Sequence, residues 1–302
     1  RIGRAAFKIA LEKKDIEVVA INDLVGADIL AHLLRYDTVY GHYRKEVSAR
    51  GNTLLVDGRE FPIYAEADPQ KLPWKKLKVD VVLECTGRFT DQASANQHIE
   101  AGARKVILSA PAKGEGETVP TFLLGVNEDA YNGQAIISNA SCTTHSLAAV
   151  AKVLDEVFGI KKALMTTIHS YTADQNLQDG PHKDLRRARA AGQNIVPTTT
   201  GAAISVTQSL PQLEGVFDGL SVRVPTIVVS LSDLTCVLKR STTKEEINQA
   251  LKSASGNPRY QSVLAVTEEP LVSSDFIGSP YSGIVDLSMT KVIDGDLVKV
   301  IV

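Results

Sequence analysis

Ser141-Cys142-Thr143-Thr144 runs directly into a helical pattern, with Leu147, Val150, Ala151, Leu154, Val157 and Phe158 along one face and Gly159 as a stop. This stretch decides the fold, because the texture of the chain changes across it. Before it, strand-like and helix-like segments alternate. They are a helix over 5–14, a buried strand Ile16-Glu17-Val18-Val19-Ala20-Ile21, a β-rich run over 79–83, a helix over 91–102, the strand Lys105-Val106-Ile107-Leu108, and short apolar runs over 122–126 and 135–137. Such alternation predicts βαβ units and a mostly parallel sheet. After it come a strand over 163–168, a polar segment over 170–200 with no periodicity, long β-rich runs of antiparallel character over 219–224 and 226–239, and a helix over 244–254. Unpatterned segments that long inside compact domains tend to be functional. The expectation is an α/β domain over 1–141 and an α+β domain over 142–302.

The chain has 302 residues, enough for two domains of ordinary size, and is 44% hydrophobic and 23% charged, as soluble globular proteins are. Its formal net charge of −2 gives no general attraction to nucleic acid or to an anionic membrane. No apolar run approaches the roughly 20 residues that span a bilayer. No secretory pattern opens the residues present. Three scattered cysteines, Cys85, Cys142 and Cys236, suit neither a disulfide framework nor a CxxC metal site. A reducing cytoplasm is the expected setting. The chain opens at Arg1 without Met and closes on the uncapped apolar run Leu297 to Val302, so a sequence continuing at both ends is expected.

Cys142 is the first candidate for chemistry. A thiol at a helix N-terminus meets free N–H groups and the positive end of the macrodipole, and both favour the thiolate. From position alone, an inert buried thiol beside capping residues is the commoner case. His169 ends the strand Met165-Thr166-Thr167-Ile168 and enters the long polar segment. Paired with a cysteine it would be a general base; alone, a histidine is more often structural. Asn22-Asp23 closes an early strand, where a carboxylate can accept hydrogen bonds from ribose hydroxyls and repel a 2′-phosphate, although it is also ordinary turn chemistry. Lys183, Arg186, Arg187 and Arg189 read as a solvated basic face or as an anion site. Thr198-Thr199-Thr200-Gly201 offers hydroxyls and an approachable backbone, and Arg223 sits between apolar neighbours where a charge needs a partner.

Nine stretches, in order, resemble the glyceraldehyde-3-phosphate dehydrogenase family along essentially the whole chain. They are Arg1-Ile2-Gly3-Arg4, Ala20-Ile21-Asn22-Asp23-Leu24, Glu84-Cys85-Thr86-Gly87, Ser109-Ala110-Pro111, Gly125-Val126-Asn127, Ser138 to Thr144, Thr166 to Thr172, Pro197 to Ala203, and Val222-Arg223-Val224-Pro225-Thr226. The resemblance implies a Rossmann-type nucleotide-binding domain plus an α+β catalytic domain with a mainly antiparallel sheet. It implies NAD as cofactor, contacted by Arg1, Ile2, Asp23, Thr86, Gly87 and Ser109. It implies that Cys142 attacks glyceraldehyde 3-phosphate, that His169 takes the proton, and that inorganic phosphate cleaves the thioester to give 1,3-bisphosphoglycerate. Thr172 and Arg223 would hold the substrate phosphate. Ser141, Thr143, Thr200 and Gly201 would hold the attacking phosphate, and Arg187 matches the family's anion-site arginine. A cytoplasmic homotetramer is also implied, with no membrane and no specific nucleic acid partner.

The chain departs from the family pattern at His145-Ser146, where the family has Asn-Cys, and at Ile204, where it has Lys. The Gly turn expected before Arg1 and the stretch expected after Val302 are not in the sequence. The nearest rival, erythrose-4-phosphate dehydrogenase, is similar at His182 to Arg187 but lacks counterparts of Thr172 and of the Thr-Thr-Thr-Gly run. A non-catalytic NAD- or RNA-binding protein of the same fold would not need Cys142, His169 and Arg223 together. A Cys–His hydrolase would not need the nucleotide-domain segments.

Overall fold

The computed structural model describes residues 1–114 and 119–302. They form two compact units, Arg1–Pro120 with Asn132–Asn139, and Thr121–Tyr131 with Ala140–Val302.

The first unit opens with α1 (Ile2–Ala10), β1 (Ile21–Asn22), α2 (Ala27–Arg35) and a small hairpin, β2 (Tyr36–Asp37) and β3 (Gly41–His42). It continues with β4 (Val47–Arg50), β5 (Thr53–Val56), β6 (Arg59–Tyr64), α3 (Trp74–Leu77), β7 (Val81–Glu84), α4 (Gln92–Glu100), β8 (Lys105–Leu108) and β9 (Ile136–Ser138). One sheet runs β1-β6-β5-β4, with only the β1–β6 pair parallel, and β7-β8-β9 form a second, wholly parallel sheet. The parallel pairing expected of βαβ units is present in β1–β6, β7–β8 and β8–β9, which lie in two separate sheets among the described residues. The predicted strand over 16–21 reduces to Ile21–Asn22, because a strand needs a ladder partner and β6 meets it only there, at Ile63 and Tyr64. The helix expected over 5–14 begins earlier and ends at Ala10, before the turn at Leu11 and Glu12. Asp91 caps α4 by accepting from the Ser94 amide at 2.9 Å, which fixes where that helix starts. Leu34, Leu54 and Phe61 centre one apolar cluster, and Ala95, Val106 and Leu108 centre another under α4.

The second unit contains α5 (Cys142–Phe158), β10 (Ile160–Ser170), β11 (Val196–Thr198), α6 (Ala202–Ser209), β12 (Phe217–Val224), β13 (Ser230–Leu238), α7 (Lys244–Ser255), β14 (Leu264–Thr267), β15 (Gly283–Ile293) and β16 (Leu297–Ile301). Seven strands form one sheet in the order β11-β12-β10-β13-β16-β15-β14. Most pairs are antiparallel, as expected, but β12 runs parallel to β10 and β14 parallel to β15. Gly159 ends α5 with φ of 71°, a conformation that favours glycine, and a Cβ there would press on the Lys239 side chain, 2.8 Å from its Cδ. The apolar run over 122–126 is a turn, not a strand; its buried Leu123 and Val126 join this unit's core.

The sheet positions the chemistry. Along β10, Ala163, Met165, Thr167 and His169 are buried in period-two alternation. Ala163 and Met165 share one cluster with Leu147, Val150 and Leu154 of α5. His169, six residues beyond Ala163 and four beyond Met165, points to that same helix-covered face. In the ladder it stands opposite Arg223 of β12 and Ser230 of β13.

Candidate active site

Cys142 is the first residue of α5, and Ser141 caps the helix by accepting from the Thr144 amide at 3.2 Å. The residue before the cap, Ala140, has φ of 51° although it is not glycine, a local strain of the kind found beside reactive groups. Cys142 is exposed, with its Sγ 3.3 Å from Nε2 of His169. Desolvation opposes the thiolate, but the His169 hydrogen bond and charge, with help from Thr143, outweigh it and lower the pKa of Cys142. The other two thiols move the opposite way. Burial raises Cys85 and pushes Cys236 up to about 12. Among the three cysteines, only Cys142 is tuned towards reactivity.

The His169 ring has a defined polarity. Its Nδ1 lies 2.7 Å from the carbonyl oxygen of Ser170, which can only accept, so Nδ1 carries a hydrogen and donates. In the neutral ring Nε2 is then the acceptor facing the Cys142 thiol. After transfer, Nε2–H donates to the thiolate. That is the arrangement a Cys–His pair needs, with a third group orienting the base.

Arg223 Nη1 donates to the Ser170 carbonyl at 3.1 Å and to the Thr172 hydroxyl at 3.4 Å. Its Nε is buried with no hydrogen-bond partner among the described residues, so this guanidinium has donor capacity in reserve. Desolvation and the nearby charge of Arg187 both disfavour its cationic form, which makes an added anion welcome there. Cys142, His169, Thr172 and Arg223 are thus one connected set. Ser141 and Thr143 flank the nucleophile.

Arg187, Thr200 and Gly201 belong to a second set. Arg187 donates through Nε to the Thr198 hydroxyl at 3.0 Å and through Nη2 to the Thr199 carbonyl at 3.0 Å, and it pairs with the carboxylates of Asp174 and Asp184. These contacts tie the 170–200 segment to β11. Thr200 and Gly201 follow at the start of α6, where Gly201 is an N-cap without a side-chain bond. The Thr200 hydroxyl accepts from the Ala202 amide at 3.1 Å, and the remaining first-turn amides suit an anion. Of the basic cluster, Arg189 pairs with Asp179, and Lys183 and Arg186 are exposed, in keeping with a solvated face. His145 lies in the first turn of α5, Ser146 bonds back to the Thr143 carbonyl at 3.0 Å, and Ile204 is exposed on α6.

In the first unit, the expected cofactor residues gather beyond the C-terminal ends of parallel strands, where dinucleotide folds bind their ligands. Asp23 follows β1, Thr86 and Gly87 follow β7, and Ser109 follows β8. Arg1 and Ile2 begin α1, whose N-cap has no side-chain bond and leaves its first amides open. Gly3 backs onto Cys85, where a Cβ would lie 3.4 Å from that residue's own Cβ. Gly87 adopts φ of 71°. One Asp23 oxygen accepts from the Val25 amide at 3.2 Å, leaving acceptor capacity for a diol. These residues fit an adenine dinucleotide.

Sequence reasoning missed three residues behind this turn. Trp74, His98 and Glu84 form a buried hydrogen-bonded chain ending on Thr86. Glu84 is in a quoted stretch, but nothing local flagged His98, whose partners lie 14 and 24 residues away.

Residues 141–302 match the family model described as glyceraldehyde 3-phosphate dehydrogenase, C-terminal domain, and residues 1–92 match the one described as its NAD binding domain. The chain is 54% identical to glyceraldehyde-3-phosphate dehydrogenase of Geobacillus stearothermophilus, over all of this chain and 89% of that protein. It is 52% identical to glyceraldehyde-3-phosphate dehydrogenase 1 of Bacillus subtilis (strain 168), again over the whole chain and 89% of the relative. Glyceraldehyde-3-phosphate dehydrogenase 1 of Kluyveromyces lactis is 47% identical over the whole chain and 91% of its own length.

Proposed function

The chain belongs to the glyceraldehyde-3-phosphate dehydrogenase family, and from that premise we propose that it oxidises glyceraldehyde 3-phosphate to 1,3-bisphosphoglycerate with NAD and inorganic phosphate, using Cys142 as nucleophile and His169 as base. The observation that carries the assignment of roles is the 3.3 Å contact between Cys142 Sγ and His169 Nε2, made by a ring whose other nitrogen is fixed on the Ser170 carbonyl.

In this reading Cys142 Sγ attacks the aldehyde carbon, and the alkoxide that forms takes the proton from His169 Nε2. The resulting thiohemiacetal is bonded to Cys142. His169, now neutral, takes the hydroxyl proton back as the carbon is oxidised to a thioester. NAD, when bound, supplies the hydride acceptor. A phosphate oxygen then displaces Cys142 from the acyl carbon, giving the acyl phosphate and freeing the thiolate. The lowered pKa of Cys142 serves both ends of this cycle, as nucleophile and as leaving group.

Thr172 and Arg223 hold the phosphate already on the substrate. Ser141, Thr143, Thr200 and Gly201 receive the attacking phosphate, and Arg187 adds positive field while shaping the Thr198–Thr199 backbone. Arg1, Ile2, Asp23, Thr86, Gly87 and Ser109 hold NAD. The functional domains divide as 1–141 and 142–302. We place the protein in the cytoplasm as a homotetramer. Among the described residues, no helix is long and apolar enough to cross a membrane. Leu177, Leu185, Ile195 and Ile204 are each more than 60% exposed along 177–204, an apolar surface consistent with self-association.

Thr172 and the Thr198-Thr199-Thr200-Gly201 run favour glyceraldehyde 3-phosphate over erythrose 4-phosphate. A rate assay on the full-length protein, crossing both aldehydes with NAD and NADP, with and without inorganic phosphate, tests the whole reading. Phosphate-dependent NAD reduction, fastest with glyceraldehyde 3-phosphate, is expected. Phosphate-independent turnover, or preference for the longer aldehyde, would refute it.

A further inference from the structure

We propose that His98 is a positioning residue for the cofactor: a buried hydrogen-bond chain linking Trp74, His98, Glu84 and Thr86, with its donors converging on the Glu84 carboxylate, holds the Thr86–Gly87 turn in its binding conformation. The proposal rests on the cofactor reading above and concerns residues that do not themselves touch the cofactor.

The direction of the chain follows from which atoms can donate. The indole Nε1–H of Trp74 is a donor only, and it lies 3.1 Å from His98 Nδ1. His98 Nδ1 must accept, so the neutral ring carries its hydrogen on Nε2. That hydrogen points to Glu84 Oε2, 3.2 Å away. The other carboxylate oxygen, Oε1, accepts from the Thr86 amide at 2.7 Å and also from the Thr86 hydroxyl. Every donor points towards Glu84. Burial alone would raise the pKa of this carboxylate, but the hydrogen bonds from His98 and Thr86 more than offset that and hold it below the ordinary glutamate value. An ionised acceptor strengthens each bond in the chain.

Three elements meet in this chain: α3 supplies Trp74, α4 supplies His98 and the end of β7 supplies Glu84. His98 and Glu84 are 4% and 5% exposed, a degree of burial that polar groups tolerate only when satisfied. Phe89, two residues after Gly87, sets its ring edge-on to His98 with centroids 6.0 Å apart. The Thr86 hydroxyl accepts in turn from the Arg88 amide at 3.1 Å, and the Glu84 carbonyl receives the Ser109 amide at 3.0 Å. Two of the expected cofactor residues, Thr86 and Ser109, are therefore hydrogen-bonded directly to Glu84. A purely space-filling histidine would need neither the tautomer nor the carboxylate.

The test compares the unsubstituted full-length protein with His98→Leu, His98→Gln and Trp74→Phe. Glutamine offers one acceptor and one donor, as the neutral imidazole does; leucine offers neither. NAD affinity is read by titration calorimetry, with KM and kcat measured separately and iodoacetate alkylation of Cys142 without NAD as the check on the second unit. His98→Leu should weaken NAD binding and raise KM for NAD about tenfold, the cost of one hydrogen bond to a charged group. Its kcat at saturating NAD and its alkylation rate should stay within about twofold, because the reacting groups are untouched. His98→Gln should recover most of the affinity. Trp74→Phe, which removes only the first donor, should weaken binding in the same direction by less, and it carries the test if His98→Leu does not fold. NAD binding by His98→Leu within twofold of the unsubstituted protein, or equal impairment of the Leu and Gln variants, overturns the positioning role. Failure of the unsubstituted protein to bind NAD would instead overturn the cofactor reading itself.

Discussion

His169 and Arg223 are register partners on neighbouring parallel strands, and their facing nitrogens, Nδ1 and Nη1, lie 3.1 Å apart. Both are donors, since His169 Nδ1–H is engaged by the Ser170 carbonyl, and Arg223 bonds to that same carbonyl. One backbone oxygen thus orients both the His169 ring and the Arg223 guanidinium, the proposed base and the proposed phosphate-binding group. Its two donors approach each other without bonding.

Arg223→Ala should therefore lower kcat/KM for glyceraldehyde 3-phosphate by about 10- to 100-fold, the range for losing a charge-assisted contact. Most of the loss should appear in KM. Alkylation of Cys142 by iodoacetamide, which carries no phosphate, should change little. Equal losses with a non-phosphorylated aldehyde would remove Arg223 from phosphate binding.

Cys142→Ser should abolish turnover and block labelling by iodoacetate at neutral pH, because a hydroxyl is far less nucleophilic than a thiolate. Mass mapping of labelled peptides checks this directly. Labelling concentrated on Cys85 or Cys236 in the unsubstituted protein would contradict the ordering of the three thiols.

His169→Asn should slow oxidation by about 10² to 10⁴, the usual span for a positioned base. It should also move the alkylation profile of Cys142 to higher pH. The sign is fixed: the His169 contact lowers the thiol pKa, so removing it requires a higher pH for the same thiolate fraction. His145, one turn into α5 from Cys142, is the competing source of charge. A larger displacement in His145→Asn than in His169→Asn would invert the assignment.

Asp23→Ala should raise the use of NADP relative to NAD, since the carboxylate both accepts from ribose hydroxyls and repels a 2′-phosphate. The ratio of kcat/KM for the two cofactors is the measurement. An unchanged ratio would show that Asp23 does not face the ribose.

Glu84 should make the first unit acid-sensitive. Its folded pKa is depressed, so the stabilisation is complete above the ordinary glutamate value of 4.5 and is lost as pH falls through the folded value. Acid titration of Trp74 fluorescence, the chain's single tryptophan, reads this transition close to its source. Glu84→Gln should be less stable at neutral pH and show a flatter acid limb. A parallel acid limb in the variant would mean that Glu84 does not titrate there.

Much of this was legible from local sequence. The α5 helix, its cap and its glycine stop follow from spacing and end signals, and the strand bearing His169 follows from β-branched residues bounded by turns. What local pattern could not supply was partnership. Residues 16–20 are as apolar as a strand should be, yet among the described residues no ladder neighbour meets them. The parallel pairing of β12 with β10 depends on which strand lies beside which, and short-range periodicity carries no such information. The Trp74–His98–Glu84 chain escaped for the same reason, because three elements separated in sequence meet only once folded. The segment over 170–200 was rightly singled out as unpatterned. Its short strand β11 is imposed by β12, through Val196 opposite Arg223.

The ladder between β10 and β12 has a consequence for how this scaffold can change. The separation of His169 and Arg223, the proposed base and the proposed phosphate-binding arginine, is set by the spacing of adjacent strands, close to 4.8 Å in any sheet, and not by the conformation of a loop. Residues 171–195 can thus be lengthened, shortened or exchanged with those of a relative while this distance stays fixed. A variant library confined to that segment and keeping Thr172 and Arg187 would vary the surroundings of the pair without moving His169 from Arg223, whereas a one-residue slip of β12 would turn Arg223 to the opposite face whatever the loops contained.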